Sequence, residues 1–74
     1  MRILDVGCGP GSITISLAKH VLSGHVTGVE YVPDPLDGAR ALAQAEGVSN
    51  ITFREGNIHD LPFEDNTFDI VHAH

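Results

Sequence analysis

Short apolar runs alternate along this chain with segments whose apolar residues recur at helical spacing. Four such runs have the length of strands, are bounded by turn residues, and occupy residues 2–6, 25–31, 50–55 and 68–74. Between them, apolar residues recur every four positions from Ile13 to Val21, and residues 35–46 are rich in alanine and leucine. The fourth run follows a loop at residues 56–66. Because the strands alternate with helices, the pattern predicts an α/β fold with a parallel sheet.

Residues with capping chemistry mark the ends of both predicted helices. Ser12 stands where its hydroxyl could cap the first helix, and Gly24 lies just beyond the end of that helix. Asp34 and Pro35 suit the N-cap and the first position of the second helix, and Gly47 suits the position after its end. These residues therefore mark where each helix is predicted to begin and end, with the second strand between them.

A glycine-rich loop joins the first strand to the first helix. Gly7, Gly9 and Gly11 occupy every second position, so a ligand can approach bare backbone at the start of a helix. The dinucleotide spacing G-x-G-x-x-G would place a glycine where this chain has Ser12. Asp5 precedes the loop, and its carboxylate would repel a pyrophosphate. The loop therefore favours a nucleoside ligand that carries positive charge, although Asp5 could instead only tie down the loop backbone.

A second carboxylate, Glu30, ends the second predicted strand 19 residues after Gly11. An acidic residue at about this distance from a glycine loop can accept hydrogen bonds from ribose hydroxyls. Tyr31 follows it directly and belongs to the same candidate site. Because S-adenosylmethionine and NAD both contain a ribose, Glu30 does not separate these two ligands.

Further candidate residues lie after the third and fourth predicted strands. Asn57 and Ile58 begin the loop after the third strand, where an amide could bind an adenine edge and an apolar side chain its face. His74 lies near the carboxyl end of the fourth strand and borders the same crevice. His72 and His74 share one strand face, but no further ligand stands at metal-site spacing, so a metal is not expected. Cys8 has no adjacent general base in the sequence and is predicted to pack rather than to act as a nucleophile.

Composition narrows the choice of partners and compartment. The chain has 74 residues, 42% of them hydrophobic and 19% charged, which is typical of a globular piece rather than a disordered one. The net charge is −6 and the four basic residues are scattered, so nucleic acid is not expected as a partner. No apolar run approaches the length of a membrane span, so a membrane is not expected either. One cysteine excludes an internal disulfide and suits a reducing compartment, so we expect a cytoplasmic protein.

Together these motifs resemble the class I S-adenosylmethionine-dependent methyltransferases over essentially all 74 residues. Residues 3–11, in the form I-L-D-V-G-C-G-P-G, are similar to the first motif of the family, and residues 28–30 to the second. Residues 56–63 are similar to the third motif, with Asn57 where the family usually has Asp, and residues 68–71 to the strand that follows. The resemblance implies a cofactor-binding set made of Asp5, Gly7, Cys8, Gly9, Gly11, Glu30, Tyr31, Asn57, Ile58 and His74.

The resemblance also implies an architecture and an activity. It implies a Rossmann-like sheet with strand order 3-2-1-4, flanked by helices and truncated after the fourth strand. It implies an enzyme that transfers a methyl group from S-adenosyl-L-methionine to a small-molecule acceptor, of which quinone- and sterol-type compounds are examples. Residues 1–74 then form a single incomplete domain, a cofactor-binding half that is inactive alone and has no nameable catalytic base. We expect the unpaired edge of its fourth strand to promote self-association.

Other functions remain compatible with the same residues. An aminopropyltransferase of the same architecture would use a decarboxylated form of the cofactor and would bind a polyamine through acidic groups beyond residue 74. A binding or scaffold module would keep the fold without turnover. An NAD-dependent oxidoreductase is disfavoured by Ser12 and Asp5.

Overall fold

The computed structural model describes residues 1–21, 23–32, 34–56 and 68–73 of the chain. In chain order, these residues form β1 (Arg2–Val6), α1 (Ser12–His20), β2 (His25–Glu30), α2 (Asp34–Ala45), β3 (Ile51–Glu55) and β4 (Ile70–Ala73). The strands are parallel and lie in the order β3-β2-β1-β4. The α/β fold class and the 3-2-1-4 strand order are therefore confirmed.

Both helices pack on one face of the sheet. The register places Ile3 beside Val26, and these two residues pack with Ala18 of α1. Leu4 and Val6 point to the opposite face, because successive side chains of a strand alternate, and there they pack with Val29. β1 is buried on both faces, as is usual for a central parallel strand. Its carboxyl end therefore lies deep in the fold, where the glycine loop begins.

Helix α1 begins differently from the prediction. Gly11, with a φ of 86°, occupies the N-cap position, and its carbonyl oxygen accepts the hydrogen bond of the Ile15 N–H at 2.8 Å. Ser12 is therefore the first residue of the helix, and the prediction that it caps the helix is wrong. The reason is that Gly11 takes the left-handed conformation, which a glycine adopts without strain, and the helix begins with the next residue, Ser12.

The far end of α1 depends on a residue distant in sequence. Val21 leaves the helical conformation, so the helix ends at His20 rather than near residue 22. The side-chain amide of Asn50 then donates to the carbonyl oxygens of Ala18 and Val21 at 2.9 and 3.0 Å. The carbonyl groups at a helix end need such partners. Asn50 was predicted to begin the third strand, but it precedes β3 and caps α1 instead.

Helix α2 ends in the manner that the sequence predicts. Gly47 has a φ of 71°, and its N–H donates to Gln44 while the N–H of Val48 donates to Ala43. These two bonds form a Schellman motif, which satisfies carbonyl groups at the end of the helix. At the other end, α2 already includes Asp34, one residue before the predicted first position. Differences of one residue are within the usual variation of helix ends.

Strand β4 is shorter than predicted and begins at Ile70. Asp69, just before it, accepts the Arg2 N–H with its carboxylate at 2.7 Å and thereby joins the chain to the start of β1. The predicted loop after Gly56, including Asn57 and Ile58, lies outside the described residues, as does His74. In the parts of the chain that the structure describes, no helix is long and apolar enough to cross a membrane.

Candidate cofactor-binding site

The glycine loop lies at the carboxyl end of β1 and is tied to β2. The N–H groups of Gly7 and Cys8 donate to the carbonyl oxygen of Val29 at 2.7 and 3.2 Å. Gly9, at the tip of the loop, has a φ of 53°, a conformation that L side chains rarely adopt. A Cβ atom added at Gly9 would meet only the carboxylate of Glu30, at 3.8 Å. The tip of the loop therefore leaves room beside bare backbone, as the sequence predicts for a ligand site.

Gly11 has a different role from Gly9. A Cβ atom at Gly11 would lie 2.8 Å from the Cβ of Ala39 and 3.0 Å from two ring carbons of Phe53. The same ring would lie 2.9 Å from a Cβ atom at Gly28. Gly11 and Gly28 thus lack side chains because the Phe53 ring fills the space between them. The side of Gly11 that lacks a Cβ faces the core, and its predicted contact with a cofactor stays a prediction.

Cys8 packs inward, which confirms the packing role predicted for it. Its side chain is 5% exposed and belongs to the cluster that includes Ile15 and Phe53. Burial raises the pKa of the Cys8 thiol to about 11, and the negative charges of Glu30 and Asp5 contribute further. Such a thiol is a poor nucleophile at neutral pH. Only the backbone of Cys8 remains available to a ligand.

Asp5 is the most deeply buried charged residue of the site. Its side chain is 0% exposed, and its carboxylate accepts the Thr14 hydroxyl at 2.5 Å. Nδ1 of His72 lies 3.1 Å from the other carboxylate oxygen. The two roles predicted for Asp5 were contact with a cationic ligand group and support of the loop backbone. These two bonds join β1 to the first turn of α1 and to β4, and both predicted roles stay predictions.

Glu30 lies over the glycine loop and is partly buried. Its Oε1 accepts the Gly9 N–H at 3.0 Å, and its Oε2 accepts the Tyr31 N–H at 2.8 Å. The backbone donor that a phosphate would use at Gly9 is therefore already bound to a carboxylate of the protein. Tyr31 is 68% exposed and lines the same cavity as Glu30. This arrangement agrees with the prediction that the loop disfavours a pyrophosphate.

A cavity of about 200 Å³ opens at the carboxyl ends of the strands. It is lined by Val6, Gly7, Val29, Glu30, Tyr31, Gly56 and Ala73. These residues follow or end all four strands, at the point where the strand order reverses beside β1, which is the usual place for ligands in open α/β sheets. The cavity is smaller than the roughly 300–1,000 Å³ of pockets that enclose a drug-sized ligand, so it fits part of one.

A larger cavity, about 360 Å³, lies elsewhere, between α2 and β3. None of the predicted site residues lines it. Among the described residues, no group of three or more histidine, cysteine or acidic side chains could hold a metal ion. The position of the smaller cavity, next to Gly7 and Glu30, therefore makes it the candidate site.

The structure brings together Gly7, Glu30 and Tyr31 of the predicted set around the cavity, with Gly9 bound to Glu30 and Asp5 beneath the loop. The predicted contacts of Asn57, Ile58 and His74 lie outside the described residues. Sequence reasoning missed Thr14 and His72, the partners of Asp5. The signal for His72 was present, since it is predicted on a strand next to β1, but only the register places it beside Asp5.

Comparison with known proteins identifies the family of this chain. The family model of a methyltransferase domain matches residues 1–74. The chain therefore belongs to the methyltransferase domain family, and its resemblance to class I S-adenosylmethionine-dependent methyltransferases is confirmed.

Individual relatives agree with this assignment. The chain is 49% identical over 79 residues to an uncharacterized methyltransferase of Schizosaccharomyces pombe, covering 99% of this chain and 28% of that protein. It is 40% identical over 72 residues to the demethylmenaquinone methyltransferase of Lactococcus lactis, covering 96% of this chain and 29% of the relative. A solved structure of a SAM-dependent methyltransferase from Aquifex aeolicus superposes with a TM-score of 0.89 at 27% identity, covering 99% and 39% of the two chains. The chain thus spans less than a third of the length of these two curated relatives.

Proposed function

We propose that this chain binds S-adenosyl-L-methionine and supplies the cofactor-binding half of an enzyme that methylates a small molecule. The observation that carries the proposal is the position of Glu30. Its carboxylate lines the cavity at the carboxyl ends of the strands and bonds the tip of the glycine loop. The membership of the chain in the methyltransferase domain family supports the same activity.

Glu30 is suited to hold a ribose. A carboxylate offers about four lone-pair sites, and the N–H groups of Gly9 and Tyr31 each use one. The remaining sites can accept the two hydroxyls of a ribose that enters the cavity. Because the backbone already orients the carboxylate, less side-chain freedom is lost on binding than for an unrestrained glutamate.

The charge around the loop favours a cationic ligand. Asp5 and Glu30 raise the pKa of the Cys8 thiol, so both carboxylates act on the loop as negative charges. A sulfonium and an ammonium group are attracted by this field, and a pyrophosphate is repelled. S-adenosyl-L-methionine carries both cationic groups and no phosphate.

The other predicted contacts complete the proposed site. The exposed Tyr31 ring and the apolar side chain of Ile58 would pack against the adenine, and the Asn57 amide would bind its edge. The backbone of the loop at Gly7, Cys8, Gly9 and Gly11 would lie against the methionine portion, and His74 would border it.

A cofactor held by these residues would supply an activated methyl group for transfer to a lone pair of the acceptor, with the sulfur of the cofactor as the leaving group that would keep the electron pair. The residues of this chain would contribute proximity and orientation, which are the main requirements of such a displacement. The quinone-type name of the Lactococcus lactis relative supports a small-molecule acceptor. The residues that hold the acceptor would lie outside the cofactor half, so we expect this half alone to be inactive. The single cysteine, which suits a reducing compartment, is the reason to expect a cytoplasmic enzyme.

Calorimetry with S-adenosylhomocysteine, S-adenosylmethionine, NAD and decarboxylated S-adenosylmethionine tests the proposal. We expect the first two ligands to bind and NAD not to bind. Glu30→Gln should lower the affinity roughly tenfold to hundredfold, since charged hydrogen bonds to the ribose are lost. Glu55→Gln is the matched control, because Glu55 is the register partner of Glu30 on β3 but does not line the cavity.

Four outcomes would contradict the proposal. Binding of NAD alone would favour an oxidoreductase, and tighter binding of decarboxylated S-adenosylmethionine would favour an aminopropyltransferase. No binding of any ligand would favour a scaffold module. An equal loss of affinity in Glu30→Gln and Glu55→Gln would show that only net charge matters and would remove Glu30 from the site.

A further inference from the structure

The carboxylate of Asp5 spans the glycine loop. Asp5 lies two residues before Gly7, and Thr14 lies three residues after Gly11. Their 2.5 Å hydrogen bond therefore joins the two ends of the glycine loop. Both side chains are 0% exposed. A hydrogen bond to a buried charged group is stronger than an exposed one, and its loss leaves a desolvated carboxylate underbonded. The shape of the loop therefore depends on Asp5 staying in place.

His72 reaches the same carboxylate from β4. Asp5 and His72 are register partners on adjacent parallel strands, and Nδ1 lies 3.1 Å from Oδ1 of Asp5. A carboxylate oxygen only accepts, so the proton of this bond is on Nδ1. The His72 side chain is 50% exposed, whereas Asp5 is fully buried. His72, 67 residues after Asp5 in the sequence, therefore contacts the same carboxylate that holds Thr14.

We propose that His72 is a positioning residue for the cofactor site: it orients the Asp5 carboxylate that holds Thr14 and thereby sets the shape of the glycine loop. His72 does not line the cavity, and its hydrogen bond to Asp5 connects it to the glycine loop. The inference rests on the proposed function, because its effect is measured on cofactor binding. It also links the loop to β4, whose residue Ala73, next to His72, does line the cavity.

Cofactor affinity of matched histidine variants tests this role. His72→Phe keeps a flat ring but removes the donor, and we expect its affinity for S-adenosylhomocysteine in calorimetry to fall at least about fivefold. His72→Asn places an amide nitrogen at the position of Nδ1 and should recover affinity to within about twofold of the wild type, as expected if only the donor matters.

His25→Phe is the control for general loss of stability. Nε2 of His25 lies 2.8 Å from the Thr52 hydroxyl, so this variant also removes a histidine bond between two strands, but at the other end of the sheet. We expect its melting temperature to fall while its affinity stays within about twofold of the wild type. A double-mutant cycle of Thr14→Val with His72→Phe should be non-additive, because both side chains act on one carboxylate.

Three results would overturn the inference while the wild type still binds. These are wild-type affinity in His72→Phe, no recovery in His72→Asn, or an equal loss of affinity in His25→Phe. If His72→Phe does not fold, His72→Gln replaces it, since its amide lies one carbon too far and should bind more weakly than His72→Asn. A wild type that does not bind at all would instead refute the proposed function, so the two failures are distinguishable.

Discussion

Replacing Gly11 by alanine should strongly destabilise the fold. The new Cβ atom would lie 2.8 Å from the Cβ of Ala39 and 3.0 Å from ring carbons of Phe53. Carbon atoms prefer separations of about 3.5–4.0 Å, so neighbouring atoms must move by several tenths of an ångström. Overpacking of this kind costs about 1–3 kcal/mol. The φ of 86° at Gly11 adds roughly 1–2 kcal/mol for a residue with a side chain.

The expected loss is therefore about 2–5 kcal/mol of unfolding free energy. A chain of 74 residues typically has only about 4–11 kcal/mol of stability in total. Urea unfolding followed by circular dichroism measures the change. Gly11→Ala should shift the midpoint to much lower urea with little change in the slope, since the surface exposed on unfolding is nearly the same.

Gly38→Ala is the matched control for this substitution. Gly38 lies in α2, and nothing lies within 4 Å of a Cβ atom added there. The same methyl group should therefore stabilise the chain by about 0.5–1 kcal/mol, because alanine is the better helix former. Combining Gly11→Ala with Phe53→Leu should cost less than the sum of the two single substitutions, since the ring atoms in conflict are gone. A Gly11→Ala variant within about 0.5 kcal/mol of the wild type would refute the packing explanation, as would equal destabilisation by Gly38→Ala.

Three further predictions concern the rest of the chain. The Cys8 thiol has a pKa of about 11 against an ordinary 9.0, so between these values the folded chain keeps a proton that the unfolded chain releases. The free energy of unfolding should therefore fall as the pH rises from about 9 to about 11. Urea titrations at each pH measure this fall, and Cys8→Ala should not show it. Asn50→Leu should lower the free energy of unfolding by about 1–3 kcal/mol, because the carbonyl groups of Ala18 and Val21 lose a shared donor. Hydrogen exchange in this variant should be fastest at the end of α1. Wild-type stability would show that Asn50 does not act as a helix cap. Val71 is 63% exposed on β4, the end strand of the sheet, and should promote self-association. Sedimentation velocity should therefore show a concentration-dependent dimer, and Val71→Lys should weaken it. A monomer at all concentrations would contradict this prediction.

Much of the candidate site was predictable because its elements are local. The positions of Gly7 and Gly9 after an apolar strand indicate a loop that exposes backbone at a helix start. Glu30 lies near the end of the second predicted run, so its place at the end of β2 could be predicted from the apolar pattern. Since carboxyl ends of parallel strands meet at one edge, these residues were expected together, and the cavity lined by Gly7 and Glu30 lies there.

The parts of the site that the sequence did not predict depend on contacts between distant residues. Gly9 and Gly11 belong to the same alternating glycine pattern in the sequence. The role of Gly11 is decided by Phe53, 42 positions later, whose ring fills the space beside it. Asn50 is of a residue type common in turns, and it becomes a helix cap only because the fold brings the start of β3 next to the end of α1. Periodicity and capping rules describe neighbours along the chain and contain no information on such pairs.

The sequence by itself determined the order of the elements, the parallel sheet and the chemistry of the glycine loop, because backbone conformation and apolar periodicity are local properties. It also determined the sign of charge at the loop through Asp5 and Glu30. Tertiary structure alone decided which donors those two carboxylates bind. The register of β1 and β4 places His72 beside Asp5. The end of β2 lies next to the glycine loop, so the Glu30 carboxylate accepts the Gly9 N–H. A buried carboxylate must find donors, but which donors it finds depends on how strands align in space.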